Sequence, residues 1–404
     1  MKLIKSLIYF IFAVFLFTGV ISCSEDGPDP VKDPDPVRRT VVVYMVSANN
    51  LGTANNFDNE DLREMKKGSV NLPADARWLV YLANYYSDPK LLEVRDGVIS
   101  DTLKIYENSR NGVSVTLDRM NEVLDDVAKF SPAEKYGLIL WGHGSGWRGN
   151  GVDEDIPDDP YRLSPLSYGN DRGAWMNIPA IRAAVKGRGY DYIYFDVCNM
   201  ACVEVAYELR DAVRYIVGGP TETPGQGMPY DRNMVFLSDG SKDALIETAK
   251  TTFNTYNGYS DDCAMTVIDL AGMDRLAKAT SEIYKLTPLP HPGENVTNYY
   301  GTSRSGDFCD FGEYVNVLAE SESLDTDLVR EFNASLEDVV LYKDAPERFY
   351  SDAISWSQGR PVYLPIYNAS GLATYIFDSP ESFNKDKYDT LHWAKDVVIH
   401  HIEN

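Results

Sequence analysis

Two segments of the chain carry a reactive side chain at the point where a long apolar run stops. Tyr136 to Trp141 (YGLILW) ends at Gly142-His143-Gly144, and Tyr190 to Val197 (YDYIYFDV) ends at Cys198. A thiol with an imidazole beside it is equipped for covalent chemistry, one group attacking and the other moving protons. Gly142, Gly144 and Gly146 allow tight or positive-φ backbone and the close approach of another chain. Val203, Ala206 and Leu209 share one side of a helix after Cys198. This places the cysteine at a strand-to-helix turn, where a helix N-terminus lowers the thiol pKa. Asp196 lies two residues earlier, on the same side of the strand, so it and Cys198 can line one pocket. Quieter readings stand beside these: a structural histidine in a glycine-rich turn, a cysteine buried as a small apolar residue, and an aspartate capping the next helix.

The elements that must position these residues are legible as unbroken apolar runs. Arg39 to Ser47, Arg77 to Ala83, Tyr136 to Trp141, Tyr190 to Val197 and Tyr215 to Gly218 read as strands buried on both faces. Helical spacing lies between them, clearest at Leu117, Met120, Val123, Leu124, Val127 and Phe130. Alternating strand and helix predicts a mainly parallel sheet with helices on both faces and a site at the carboxyl ends of the strands. From about Asp231 the pattern predicts helices near Ala244 to Tyr256 and Leu328 to Val340. Strands are predicted at Ala264 to Leu270 and Leu372 to Phe377, in a smaller accessory region.

Composition narrows the function. The formal charge of -23 makes nucleic acid an unfavourable partner and favours the approach of cationic substrates. Beyond Cys23 only Cys198, Cys202, Cys263 and Cys309 remain, too few for a disulfide scaffold, and no second Cys or His pair completes a zinc site. Cys202, Cys263 and Cys309 read as buried or incidental thiols. Between His143 and the next helix, the acids Asp153, Glu154, Asp155, Asp158 and Asp159 offer calcium ligands without the spacing of an EF-hand. No cofactor is expected, with calcium the one candidate ion.

The first 22 residues have the layout of an export signal, two lysines ahead of an apolar run, and Val20-Ile21-Ser22-Cys23 resembles a lipobox. Cys23 is the expected lipid site, and residues 23–37, rich in proline and aspartate, are an extended acidic spacer. The expected location is therefore the cell envelope, as a lipoprotein of the outer membrane. Ser24-Glu25-Asp26 resembles the acidic export signal of surface-displayed lipoproteins. A plain signal peptide or an uncleaved N-terminal helix, with an incidental cysteine, is the alternative.

With these residues in view, the chain resembles the clostripain-like cysteine peptidases, relatives of caspases and legumains. His143-Gly144 and Asp196-x-Cys198 are the most specific parts of the likeness. YMVSANNL near the start also resembles a family segment, with Asn49 where an aspartate is usual. So do Gly218 to Asp231, the segment from Asp307, and YDTLHWAKDVVIHHI, which resembles the closing helix. The resemblance implies a caspase-like α/β fold, with residues 38–230 as catalytic core and 231–404 completing the fold and its accessory region. It makes Cys198 the nucleophile and His143 the group that protonates the leaving amine, with the backbone amides of Gly144 and Cys198 as oxyanion hole. Asp196 becomes the floor of the pocket for an arginine or lysine side chain, arginine preferred because guanidinium pairs bidentately with carboxylate. Self-cleavage of a zymogen is expected at Arg162 or Arg172, with an uncleaved surface loop as the alternative. The expected substrates are polypeptides with basic residues, and the protein is expected to act as a monomer. The competing functions are a catalytically inactive surface-binding lipoprotein, a thiol redox protein using Cys202 with Cys198, and an acidic adhesin.

Overall fold

The computed structural model describes residues 35–100, 102–108, 111–147, 166–258, 262–287, 296–299, 307–376 and 385–398. The export signal, Cys23, most of the spacer, Arg162 and the acids from Asp153 to Asp159 lie outside the described residues.

The strands, in chain order, are β1 (Val37–Val46), β2 (Ala76–Ala83), β3 (Lys90–Arg95), β4 (Val98–Ile99), β5 (Lys104–Ile105), β6 (Ala133–Trp141), β7 (His143–Gly144), β8 (Leu166–Asp171), β9 (Ala174–Asn177), β10 (Tyr190–Asp196), β11 (Tyr215–Gly218), β12 (Met265–Asp269), β13 (Asp307–Asp310) and β14 (Val340–Asp344). The central sheet runs β14-β12-β11-β10-β6-β1-β2-β3-β4, with β5 paired to β3. Its middle five strands, β11-β10-β6-β1-β2, are parallel. Antiparallel strands flank them on both edges. The expected parallel sheet is thus present, and the two late strands β12 and β14 extend it.

Alternation along β1 explains the unbroken apolar runs. Val42, Tyr44 and Val46 enter one core with Met120, Val123 and Val127 of the helix Leu117–Phe130. Val41, Val43 and Met45 enter the other, beneath helices at Phe57–Gly68, Tyr230–Asp239 and Lys242–Tyr256. Both faces are covered, so both sets of side chains must be apolar. Hydrophobic contacts on two faces make the strand ends rigid supports for whatever follows them.

The far part of the chain returns to the centre. β13 pairs with Ala373–Ile376, and the Ala373 amide donates to the Ala201 carbonyl at 2.9 Å. Of the expected closing helix, Ala394–Val398 is described and forms a π-helix, after a short helix at Lys385–Tyr388. No described helix is long and apolar enough to cross a membrane.

Candidate active site

Chain order among the parallel strands reverses between β1 and β6, which makes their carboxyl ends the natural place for a binding crevice. Three adjacent strands deliver loops there. β1 leads into Asn49 and Asn50, β6 into His143, and β10 into Cys198. The resulting cleft of about 610 Å³ is lined by Asn50, His143, Gly144, Asp196 and Cys198 together with Trp141, Trp175, Glu222 and Asp352. The four residues singled out for chemistry in the sequence therefore share one cavity.

The Cys198 loop is built by backbone bonds. Asn199 and Ala201 donate to the Thr221 and Gly219 carbonyls at 2.9 and 3.0 Å. Asn199 adopts a left-handed conformation at φ 60°. The half-buried thiol accepts from the Thr223 amide at 3.4 Å. Gly144 is required by close approach, because a Cβ there would stand 2.7 Å from the Cys198 carbonyl oxygen. This packing sets the two loops against each other.

The expected helix dipole at Cys198 is absent. The following helix begins only at Val203, with Cys202 as its N-cap, so four residues separate it from the thiol. Desolvation pushes the Cys198 pKa up to about 12, assisted by the charges of Glu222, Asp352 and Asp196, and the Thr223 amide only partly offsets this. These effects favour the thiol over the thiolate. His143 is shifted the other way, its pKa lowered by burial while Asp352 opposes the effect. A neutral imidazole and a neutral thiol lining one cleft suit general-base chemistry.

The His143 ring is held by Asn50, whose Oδ1 lies 2.7 Å from Nε2. An amide oxygen only accepts, so Nε2 carries the hydrogen and Nδ1 is the acceptor. Asn49 positions Asn50. Its Oδ1 accepts from the Leu51 amide at 3.0 Å, while its Nδ2 donates to the Val46 and Asn170 carbonyls, each at 3.0 Å. An aspartate at this position would accept but not donate. Asn49 thus ties the end of β1 to the β8–β9 hairpin.

Asp196 is 4% exposed at the end of β10. Its Oδ1 accepts from the Met228 amide and its Oδ2 from the Tyr230 hydroxyl, both at 2.9 Å. These partners belong to the segment after β11, so Asp196 does not cap the helix beginning at Val203. Burial pushes its pKa up to about 7, against both hydrogen bonds. Gly227, at φ 67°, lets the backbone pass, since a Cβ there would lie 2.8 Å from Asp196 Oδ2.

The other sequence candidates fall elsewhere. Cys202, Cys263 and Cys309 are buried and form no disulfide. Arg172 sits in the turn between β8 and β9 at φ 54°, its amide bonded to the Ala48 carbonyl and its guanidinium to the Tyr85 carbonyl at 2.9 Å. As folded, that peptide bond is in a closed turn rather than an extended segment. No group of three or more potential metal ligands occurs among the described residues. Asn50 and Thr223 were not found from sequence, because a polar residue in a polar loop carries no periodic signal.

Comparison with known proteins gives the family. The model of the clostripain family matches residues 43–399. An inactive zymogen C11 protease from Parabacteroides distasonis is 26% identical at a TM-score of 0.72, over 90% of this chain and 99% of that one. A secreted C11 cysteine protease from Bacteroides thetaiotaomicron, solved with an irreversible peptide inhibitor, is 25% identical at a TM-score of 0.74, with the same coverage. None of the curated proteins matches. Fold and comparisons define a cysteine-type peptidase of caspase-like architecture, acting on polypeptides. The chain belongs to the clostripain family.

Proposed function

We propose that this peptidase cleaves chains after arginine, and less well after lysine, with Cys198 as nucleophile and His143 as its proton-transfer partner. The observation that carries the reading is that Asp196, Cys198 and His143 line one cleft. His143 takes the thiol proton as Cys198 attacks the carbonyl, then gives it to the leaving amine. The amides of Gly144 and Cys198 hold the oxyanion, where losing one donor costs a factor of roughly a hundred to a thousand. Asp196 meets a guanidinium through two parallel hydrogen bonds and an ammonium less completely.

The same reading includes a membrane anchor through Cys23, an envelope location facing outward, and a monomer. It also includes self-processing at Arg162 or Arg172, with Arg162 favoured because Arg172 is held in its turn. The kinship with a zymogen supports a processing step. No cofactor is required, and calcium at the acids from Asp153 to Asp159 is tested by chelation.

The deciding experiment compares peptides ending in arginine, lysine, citrulline or aspartate, cleaved by the parent and by Cys198→Ala. Cleavage after arginine that vanishes in the variant supports the reading. No cleavage of any peptide, even after limited proteolysis between residues 148 and 165, points to a surface-binding protein.

A further inference from the structure

β7, β8 and β9 form a small three-stranded sheet of their own, whose register sets His143 opposite Gly169 and Gly169 opposite Trp175. Gly169 has no side chain to stand between its two neighbours. The imidazole and indole rings approach to 6.1 Å between centroids, tilted by 38°. Alternation along β9 decides where the indole goes. Ala174 and Met176 enter the core, so Trp175 points the other way and is left half-buried on the wall of the cleft.

The hairpin that carries Trp175 is fastened at several points. The Tyr168 hydroxyl donates to the Tyr44 and Trp141 carbonyls at 2.5 and 3.2 Å, and the Arg172 amide to the Ala48 carbonyl at 3.2 Å. Asn49 Nδ2 donates to the Asn170 carbonyl at 3.0 Å. The indole is therefore a fixed surface, and contact with it requires little ordering.

Peptide cleavage dictates what lies against that surface. A group that protonates the leaving amine must come within about 2.6–3.2 Å of its nitrogen. With His143 in that role, the residue that begins the departing fragment has its nitrogen at the imidazole. Its Cα is one bond further on and its side chain two, which brings that side chain to the neighbouring indole.

We propose that Trp175 is a specificity-determining residue for the position that follows the cut bond, where its indole forms a wall for a large apolar side chain. The proposal rests on His143 being the proton donor to the leaving amine. Contact with leucine or phenylalanine removes apolar area of both partners from water, whereas glycine offers no side chain to cover the indole. An aspartate there is opposed by charge. The cleft is lined by the carboxyl groups of Asp196, Glu222, Asp262 and Asp352 and by no lysine or arginine among the described residues.

The test uses the full chain and peptides that differ only in the residue after arginine: leucine, phenylalanine, glycine or aspartate. The parent, Trp175→Ala and Trp175→Phe are compared, with thermal melts to establish folding. In the parent, kcat/KM should be about tenfold higher with leucine or phenylalanine than with glycine, and lowest with aspartate. Trp175→Ala should bring the leucine-to-glycine ratio to within about twofold of one, and Trp175→Phe should keep most of it. An arginine methyl ester, whose leaving group is methanol, separates a wall from a support for His143. The alanine variant should lose less on the ester than on the leucine peptide. An equal fall on leucine peptide, glycine peptide and ester overturns the proposal, because the indole would then act only through the imidazole. Should Trp175→Ala not fold, acyl transfer by the parent decides. An amine attacking the Cys198 thioester takes the departing position, forming an amide as the C–S bond breaks and its proton passes to the thiol. Leucinamide should capture the arginyl group about tenfold better than glycinamide, and equal capture overturns the proposal. Cleavage that persists in Cys198→Ala, or a parent that cuts none of the arginine peptides, overturns the assigned mechanism and the wall together.

Discussion

His143 Nε2 lies 2.7 Å from Asn50 Oδ1, although the two residues are 93 positions apart in sequence. The bond joins the end of β1 to the end of β6 across the switch point and leaves one ring nitrogen free to accept. Asn50→Ala should lower kcat by about ten- to a hundredfold with little change in KM, as expected for a lost orienting contact. Asn50→Asp should retain more activity than the alanine variant, because a carboxylate oxygen also accepts from Nε2. Steady-state kinetics on one peptide compares the three proteins.

The raised thiol predicts how Cys198 reacts with a small alkylating agent. With its pKa pushed up to about 12 and that of His143 lowered, the expectation is that no thiolate–imidazolium pair is preformed at neutral pH. Alkylation should be slow at pH 7 and climb about tenfold per unit toward pH 9. A rate already level between about pH 6 and 8 would show a preformed ion pair.

Gly227→Ala tests the floor of the cleft. The new methyl would stand 2.8 Å from Asp196 Oδ2 at a backbone φ of 67°. We expect KM for arginine peptides to rise about tenfold or more, with a stability loss of about 1–2 kcal/mol from left-handed strain. Alkylation of Cys198 should be nearly unchanged, which separates a pocket defect from general disorder.

Glu204 gives a stability prediction away from the cleft. It is fully buried, accepts from Thr374 Oγ1 and the Tyr375 amide at 2.9 Å, and burial raises its pKa to about 7. Because the folded value exceeds the unfolded one near 4.5, the residue costs stability progressively as pH rises between those values. Glu204→Gln should therefore weaken the fall in Tm between about pH 5 and 8, worth about 3 kcal/mol at the upper end. Thermal melts at several pH values read it.

The strands were legible because burial on both faces forces continuous apolar runs, and β1, β2, β6, β10 and β11 fall within four residues of their expected bounds. His143 and Cys198 were legible for the same reason, each standing where such a run stops. The start of the helix after Cys198 was not. Val203, Ala206 and Leu209 mark its apolar side, but no capping side chain fixes its first turn, and the residues from Asn199 to Cys202 form loop instead. Without a helix end beside it, the thiol is left to burial, which raises its pKa. Asn50 escaped notice because it acts on a residue 93 positions away. The strand character of Met265–Asp269 was visible, whereas its antiparallel direction depends on contacts with β11 that no local pattern encodes.

The strap from Ala373 to Tyr375 has a bearing on biosynthesis. It bonds the Ala201 carbonyl and Glu204 just downstream of Cys198, and Thr374 is 170 residues beyond Glu204. At about 5–20 residues per second, the ribosome takes roughly 10–30 s to supply that brace after the cysteine loop has been made. During that interval the loop lacks its support, so a nascent chain carries the thiol and imidazole without the framework that aligns them. On the proposed assignment of Cys198 and His143, activity is expected only once this strap has been made, late in synthesis.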